Sequence, residues 1–170
     1  MLTHAFRGCN VVICFGLLFL FGCVSTLKSD LGAVARKEAR ISLSDDIPAG
    51  VLANDDIRIT YTLVRKGEDI SLTGKIVFDR SITDSFTAIK SFSLYLSFLD
   101  SESKVIETVD ISPVINTYGA TPDSLVLKFS GVRPPGSKAM AFHYSGGFIS
   151  NGKHEGGQWD IQYFPFNRAQ

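Results

Sequence analysis

The chain has 170 residues, 45% of them hydrophobic, with 17 basic and 17 acidic side chains. That length suits one domain, the apolar fraction excludes wholesale disorder, and the balanced charge excludes an electrostatic grip on nucleic acid. Among residues 1–22 only Arg7 is charged, so their removal leaves sixteen basic against seventeen acidic groups, a net −1.

In chain order, Met1 to Gly8 carry Arg7, and Cys9 to Val24 form an uncharged run rich in Val, Ile, Leu and Phe. The run is about as long as a signal-peptide apolar region and short of the roughly 20 residues a spanning helix needs. An uncleaved anchor is the alternative. The run ends in Leu20-Phe21-Gly22-Cys23. This resembles the lipobox of bacterial lipoproteins: Leu three positions before the cleaved bond, a small residue just before it, and a Cys just after. The resemblance implies that residues 1–22 are a removed signal peptide and that Cys23 is the lipidated first residue of the mature protein. One acyl chain holds a membrane only marginally, at ~0.8 kcal/mol per buried CH₂, whereas two or three anchor firmly. Val24, where an Asp would favour retention in the inner membrane, implies the outer membrane, facing the periplasm. The other cysteines are Cys9 and Cys14, so the chain beyond Cys23 has none. No disulfide, thiolate nucleophile or cysteine metal site is expected there.

Residues 23–40 read as the lipidated cysteine and a polar tether. The tether is either a flexible linker or carries a short helix over Leu31–Ala39, which Asp30 would cap. Residues 41–170 read as the folded domain, because the period changes to two. Ile57, Ile59, Tyr61 and Leu63 alternate with Arg58, Thr60 and Thr62, the pattern of a half-buried strand. A turn at Lys66–Asp69 leads to Ile70, Leu72, Ile76 and Phe78 on one face, with Gly74 marking a bulge or a close backbone approach. Residues 88–99 are the clearest strand, with Phe92, Leu94, Leu96 and Phe98 on one side and Ser93, Tyr95 and Ser97 on the other. A hairpin turn at Asp100–Ser103 leads into residues 104–112, where Val105, Val109 and Ile111 are expected to share a face. After a loop punctuated by Pro113, Gly119 and Pro122, another strand carries Leu125, Leu127 and Phe129. Arg133-Pro134-Pro135-Gly136 is a turn. Met140, Phe142 and Tyr144 then face one way and Ala139, Ala141 and His143 the other. Gly146-Gly147 and the stretch from Ser150 to Gly157 read as a glycine-rich connection to a last strand with Trp159, Ile161 and Tyr163, which ends at Pro165.

Seven or eight short strands without a long amphipathic helix predict an all-β, antiparallel two-sheet sandwich. The segment from Ser91 to Thr108, followed later by Pro-Pro-Gly and a strand, resembles immunoglobulin-like periplasmic domains with a Phe-x-Leu-Tyr-Asp signature. Phe92, Leu94 and Tyr95 carry that resemblance, which implies an immunoglobulin-like fold.

Chemistry-bearing patterns are sparse. His143, His154 and Glu155 are the candidates for a metal or acid–base site, yet they lack ligand spacing, so His143 reads as a strand residue on the polar face and His154 as a solvated loop residue. Ser145-Gly146-Gly147 lacks the nucleophile-elbow pattern. Asp45-Asp46 and Asn54-Asp55-Asp56 lack the alternation of a calcium loop and read as turns entering strands. No metal, cofactor or catalytic residue is expected. The aromatic C-terminus has two readings: Trp159, Tyr163 and Phe166 contact a ligand or partner, or Trp159 and Tyr163 are core while Phe164 and Phe166 close a sheet edge. The expected function is a lipid-anchored, non-catalytic envelope protein that binds or scaffolds another envelope protein. The alternative is a lipoprotein that binds a carbohydrate or small ligand through the C-terminal aromatics.

Overall fold

The computed structural model describes residues 31–43, 49–115, 120–150 and 157–167. Residues 1–22 and Cys23 lie outside them. In chain order the elements are β1 (Val34–Ala35), a 3₁₀ turn (Lys37–Ala39), β2 (Ile41–Ser42), β3 (Ala49–Ala53), β4 (Ile57–Lys66), β5 (Asp69–Phe78), α1 (Arg80–Ser85), β6 (Ala88–Leu99), β7 (Val105–Asp110), β8 (Ser124–Val132), β9 (Ala139–Ile149), β10 (Gln158–Tyr163) and β11 (Phe166–Asn167).

The alternation expected from residue 57 builds the first sheet. β4 buries Ile57, Ile59, Tyr61 and Leu63 and exposes the residues between them. It pairs with β5 from Ile57↔Phe78 to Lys66↔Asp69 without a break. β5 buries Ile70, Leu72, Ile76 and Phe78. Gly74 is a close approach and not a bulge: it pairs directly with Tyr61, and a Cβ placed on it would lie 2.1 Å from the Thr60 carbonyl oxygen. With β3 and β8 at its edges, this four-stranded sheet runs β3-β4-β5-β8. The second sheet runs β10-β9-β6-β7, with the short β2 also paired to β9, and every pairing in both sheets is antiparallel.

The two sheets face each other across one apolar core, an all-β sandwich. Phe78 of the first sheet meets Phe92 edge-on at 5.4 Å and Phe148 at 5.2 Å, and Tyr61 meets Phe142 at 5.3 Å, all T-shaped contacts between the layers. Leu94, Leu96 and Phe98 of β6 are fully enclosed. Four connections cross between sheets: β2 to β3, β5 to β6 through α1, β7 to β8, and β8 to β9. The expected turn before β9 carries Gly136 at φ 86, a left-handed conformation that suits glycine.

Several expectations are corrected. Residues 31–40, expected within the tether, are docked onto the domain. Where a helix over Leu31–Ala39 was one reading, the chain makes β1 and a single 3₁₀ turn, with Ala33, Ala35 and Ala39 buried. β1 pairs with β11, and its backbone also bonds to β7's entry, Gly32 N–H to the Val105 carbonyl (2.8 Å) and Ala35 N–H to Ser103 (2.9 Å). This ribbon lies on the outside of the second sheet as a third layer, where Ala33, Ala35 and Phe166 pack on Leu99, Val105 and Ala141. Val105 therefore does not share a face with Val109 and Ile111. The pairing of β6 with β7 shifts register between Phe98 and Leu99, which turns Val105 outward to the ribbon while Val109 and Ile111 pack toward the main core. Gly146 and Gly147 are not part of a loop: they lie inside β9, paired with Ile161 and Asp160 of β10. A side chain at Gly146 would strike the Phe92 ring, at 2.9 Å.

Candidate functional site

The aromatic residues expected to form a contact surface do not come together. Trp159 is 53% exposed, which corrects the reading that made it core. It shares the inward parity of Ile161 and Tyr163, but β10 is an outer strand and Phe148, its neighbour on β9, fills the core position there. Tyr163 is half-buried, four residues and ~13 Å along the strand from Trp159. Its ring stacks on Tyr144 at 5.8 Å. Phe166 is buried in β11 on the other side of the sheet. It closes the ribbon over β6 and β9, in keeping with the reading that placed it at a sheet edge and against its use as a ligand contact.

The Tyr144 hydroxyl ties the layers together. It accepts from Asn54 Nδ2 at 2.6 Å and donates to Asp56 Oδ2 at 3.2 Å. Asn54 Oδ1 also accepts from the backbone N–H of Asp56 and Ile57, so Asn54-Asp55-Asp56 is the expected turn into β4. Burial pushes the Tyr144 phenol well above its ordinary value; Asn54 opposes this and the Asp56 carboxylate adds to it. Burial likewise raises Tyr61, and raises Tyr163, on which Arg36 and Glu38 act with opposite sign. The arrangement holds the phenol in its protonated form.

His143 is the second cluster: it is the expected strand residue with outward parity, but the face it stands on is covered and not a polar surface. It is 1% exposed. Its Nε2 lies 3.1 Å from the Ser97 hydroxyl, which lies 2.8 Å from Thr108 Oγ1. Tyr95 stacks on the imidazole at 5.0 Å, and Phe164 and Phe166 meet it edge-on at 5.7 and 5.3 Å. His143 has the outward parity the sequence suggests; the ribbon's end then covers it. Ser145 is a β9 residue paired with Ser93 and Gln162. Among the described residues no group of three or more His, Cys, Asp or Glu is placed to hold a metal, and no buried side-chain polar atom lacks a partner. Asp45, Asp46, His154 and Glu155 lie outside the described residues, as does Cys23.

The surface that sequence reasoning missed is the outer face of the four-stranded sheet. Exposed Val51, Val64, Val126 and Val132 stand on it, between 49% and 65% accessible. Between them stand Thr60, Thr62, Thr73 and Ser130, with Arg58, Lys66, Lys75 and Lys128. Asp69, beside Lys66 at one end, is its one acidic residue among those described. None of the four cations forms an ion pair with another described residue. The signal was present in the alternation of β4 and β8, which puts Thr, Val and Lys on the parity opposite the core. What the sequence lacks is the pairing that lays these residues side by side. Lys75 faces Val126 across the β5–β8 pair and Lys128 faces Thr73, which makes the two lysines diagonal neighbours.

No family model, curated protein or solved structure matches the chain. No helix among the described residues is long and apolar enough to cross a membrane.

Proposed function

We propose that this chain is a bacterial lipoprotein whose non-catalytic β-sandwich, anchored through Cys23, binds or scaffolds another protein of the cell envelope. The observation that carries the reading is Leu20-Phe21-Gly22-Cys23 at the end of an uncharged apolar run, eight residues before the first described residue, Leu31. The three crossings along β5 to β9 support an immunoglobulin-like architecture, a scaffold used widely for recognition without chemistry. Burial of His143 among hydroxyls and aromatic rings supports a structural role for it. Val24 supports placement in the outer membrane.

The test is metabolic labelling with a fatty acid. Cys23→Ser should lose the label and release a soluble or unprocessed chain; label retained by the Ser variant removes the reading. A second reading, binding of a carbohydrate or small ligand, is favoured by one observation, the exposure of Trp159. With Phe166 buried and Tyr163 turned toward Tyr144, that site contracts to Trp159 and its immediate neighbours. A sugar-dependent rise in melting temperature that Trp159→Ala abolishes would support it.

A further inference from the structure

We infer that the outer face of the four-stranded sheet docks an acidic protein surface. The inference deepens the reading of an anchored, partner-binding lipoprotein and rests on it for the direction in which the face looks.

Charge is the first argument. The mature chain is nearly neutral at −1, yet among the described residues this face sets Arg58, Lys66, Lys75 and Lys128 against Asp69 alone. A second copy of the chain, bringing the same face, would juxtapose like charges, which disfavours a symmetric pair. Shape and chemistry come next. Three strands of nine or ten residues and the five-residue β3, ~4.8 Å apart, make a platform of roughly 550 Å² in projection, about two thirds of one side of a standard protein–protein interface. Its uncharged positions are Val, Ala, Thr and Ser, small side chains that let a flat partner approach evenly. Sugars are gripped by aromatic platforms, and no described side chain on this face is aromatic.

The anchor's position is the third argument. Leu31 enters on the ribbon, which lies outside the five-stranded sheet. Seven residues separate it from Cys23, eight Cα steps with a reach of at most ~29 Å. The ribbon and the bare face are two layer spacings apart, roughly 20 Å. The chain toward Cys23 thus leaves the domain on the ribbon's side, and the cationic face, on the opposite side, is the one farther from the point of attachment; we take it to meet a partner and not lipid headgroups.

The test uses the full chain in its own envelope, with a photo-cross-linking benzoylphenylalanine at Val126 or, on the opposite outer face, at Ser93. The expected result is a salt-sensitive adduct from position 126, absent from position 93. Mass spectrometry should identify the captured chain as an acidic protein. Lys75→Glu with Lys128→Glu should reduce that adduct at least tenfold while leaving the melting temperature of the chain unchanged. An adduct of equal yield in the charge-reversed chain overturns the inference, as does a lipid or glycan adduct, a basic captured protein, or cross-linking from Ser93 instead. Fatty-acid labelling of the same cells reports on Cys23 separately. Label without the adduct removes the docking face and keeps the anchor, and the adduct without label does the reverse.

Discussion

The sandwich has two outer faces, and they are finished differently. On the five-stranded sheet, β6 and β9 put Leu99 and Ala141 outward, and β1 and β11 close over them with Ala33, Ala35 and Phe166. That half of the sheet is buried on both sides, and His143 and Ser97 are enclosed with it. On the four-stranded sheet the outward residues are Thr, Ser, Val and Ala with Arg58, three lysines and Asp69, and no described element covers them. The same two-residue period thus leads to opposite outcomes. Small and apolar outward residues let the domain's first and last strands form a third layer, whereas long cations at Lys75 and Lys128 oppose such a layer, because burying an unpaired ammonium is costly. Polar alternation alone therefore does not identify an exposed face.

The largest effect that would sharpen this contrast is at Leu99. Although it faces away from the main core, it is 0% exposed, like Leu96 on the opposite side. Leu99→Ala and Leu96→Ala should both cost ~2–5 kcal/mol in denaturant unfolding; a cost under ~1 kcal/mol for Leu99→Ala would mean the ribbon is not a true third layer. Ser97→Ala removes the hydroxyl between Thr108 and His143. We expect ~1–3 kcal/mol, the cost of changing a buried polar network, whereas Ser93→Ala, half-buried on the uncovered part of the same face, should cost little. A Ser93 effect as large as that of Ser97 would break the distinction.

The hydroxyl that links the two sheets comes next. Tyr144→Phe should cost about 1 kcal/mol, since Asn54 and Asp56 are near enough to solvent to find water in its place. The phenols of Tyr61, Tyr144 and Tyr163 have folded-state pKa values raised above the unfolded value near 10. Their contribution to stability is complete below about pH 10 and is lost as pH rises through the folded values. The melting temperature should fall above about pH 10, more gently in Tyr144→Phe than in the parent; identical alkaline profiles would show that Tyr144 is not held protonated. The smallest effect belongs to the bare face, where Val126→Thr and Lys128→Glu should each stay within about 0.5 kcal/mol of the parent. A loss of 2 kcal/mol at either position would mean that something covers this face.

Much of the architecture could be read before the fold was seen. Ten-residue alternation in β4, β5 and β6 declared strands, because only one pleated face of each meets the core. Gly74 announced a bulge or a close backbone approach, between which only the pairing with Tyr61 decided, and Pro135-Gly136 a turn. The all-β sandwich with eight strands of five or more residues follows from those signals. β1, β2 and β11 could not be read, since two residues carry no period, and they exist because other strands offer them backbone partners. The burial of His143, the outward turn of Val105 at a register shift and the exposure of Trp159 on an outer strand were decided by tertiary structure as well. So was the gathering of four cations on one face, for which the lysines of β5 and β8 come from stretches about fifty residues apart. Which side of a strand a residue takes is local geometry, and the sequence carries it. What lies against that side depends on pairing, register and the return of the chain ends, and those are settled only when distant segments compete to cover the same apolar surface.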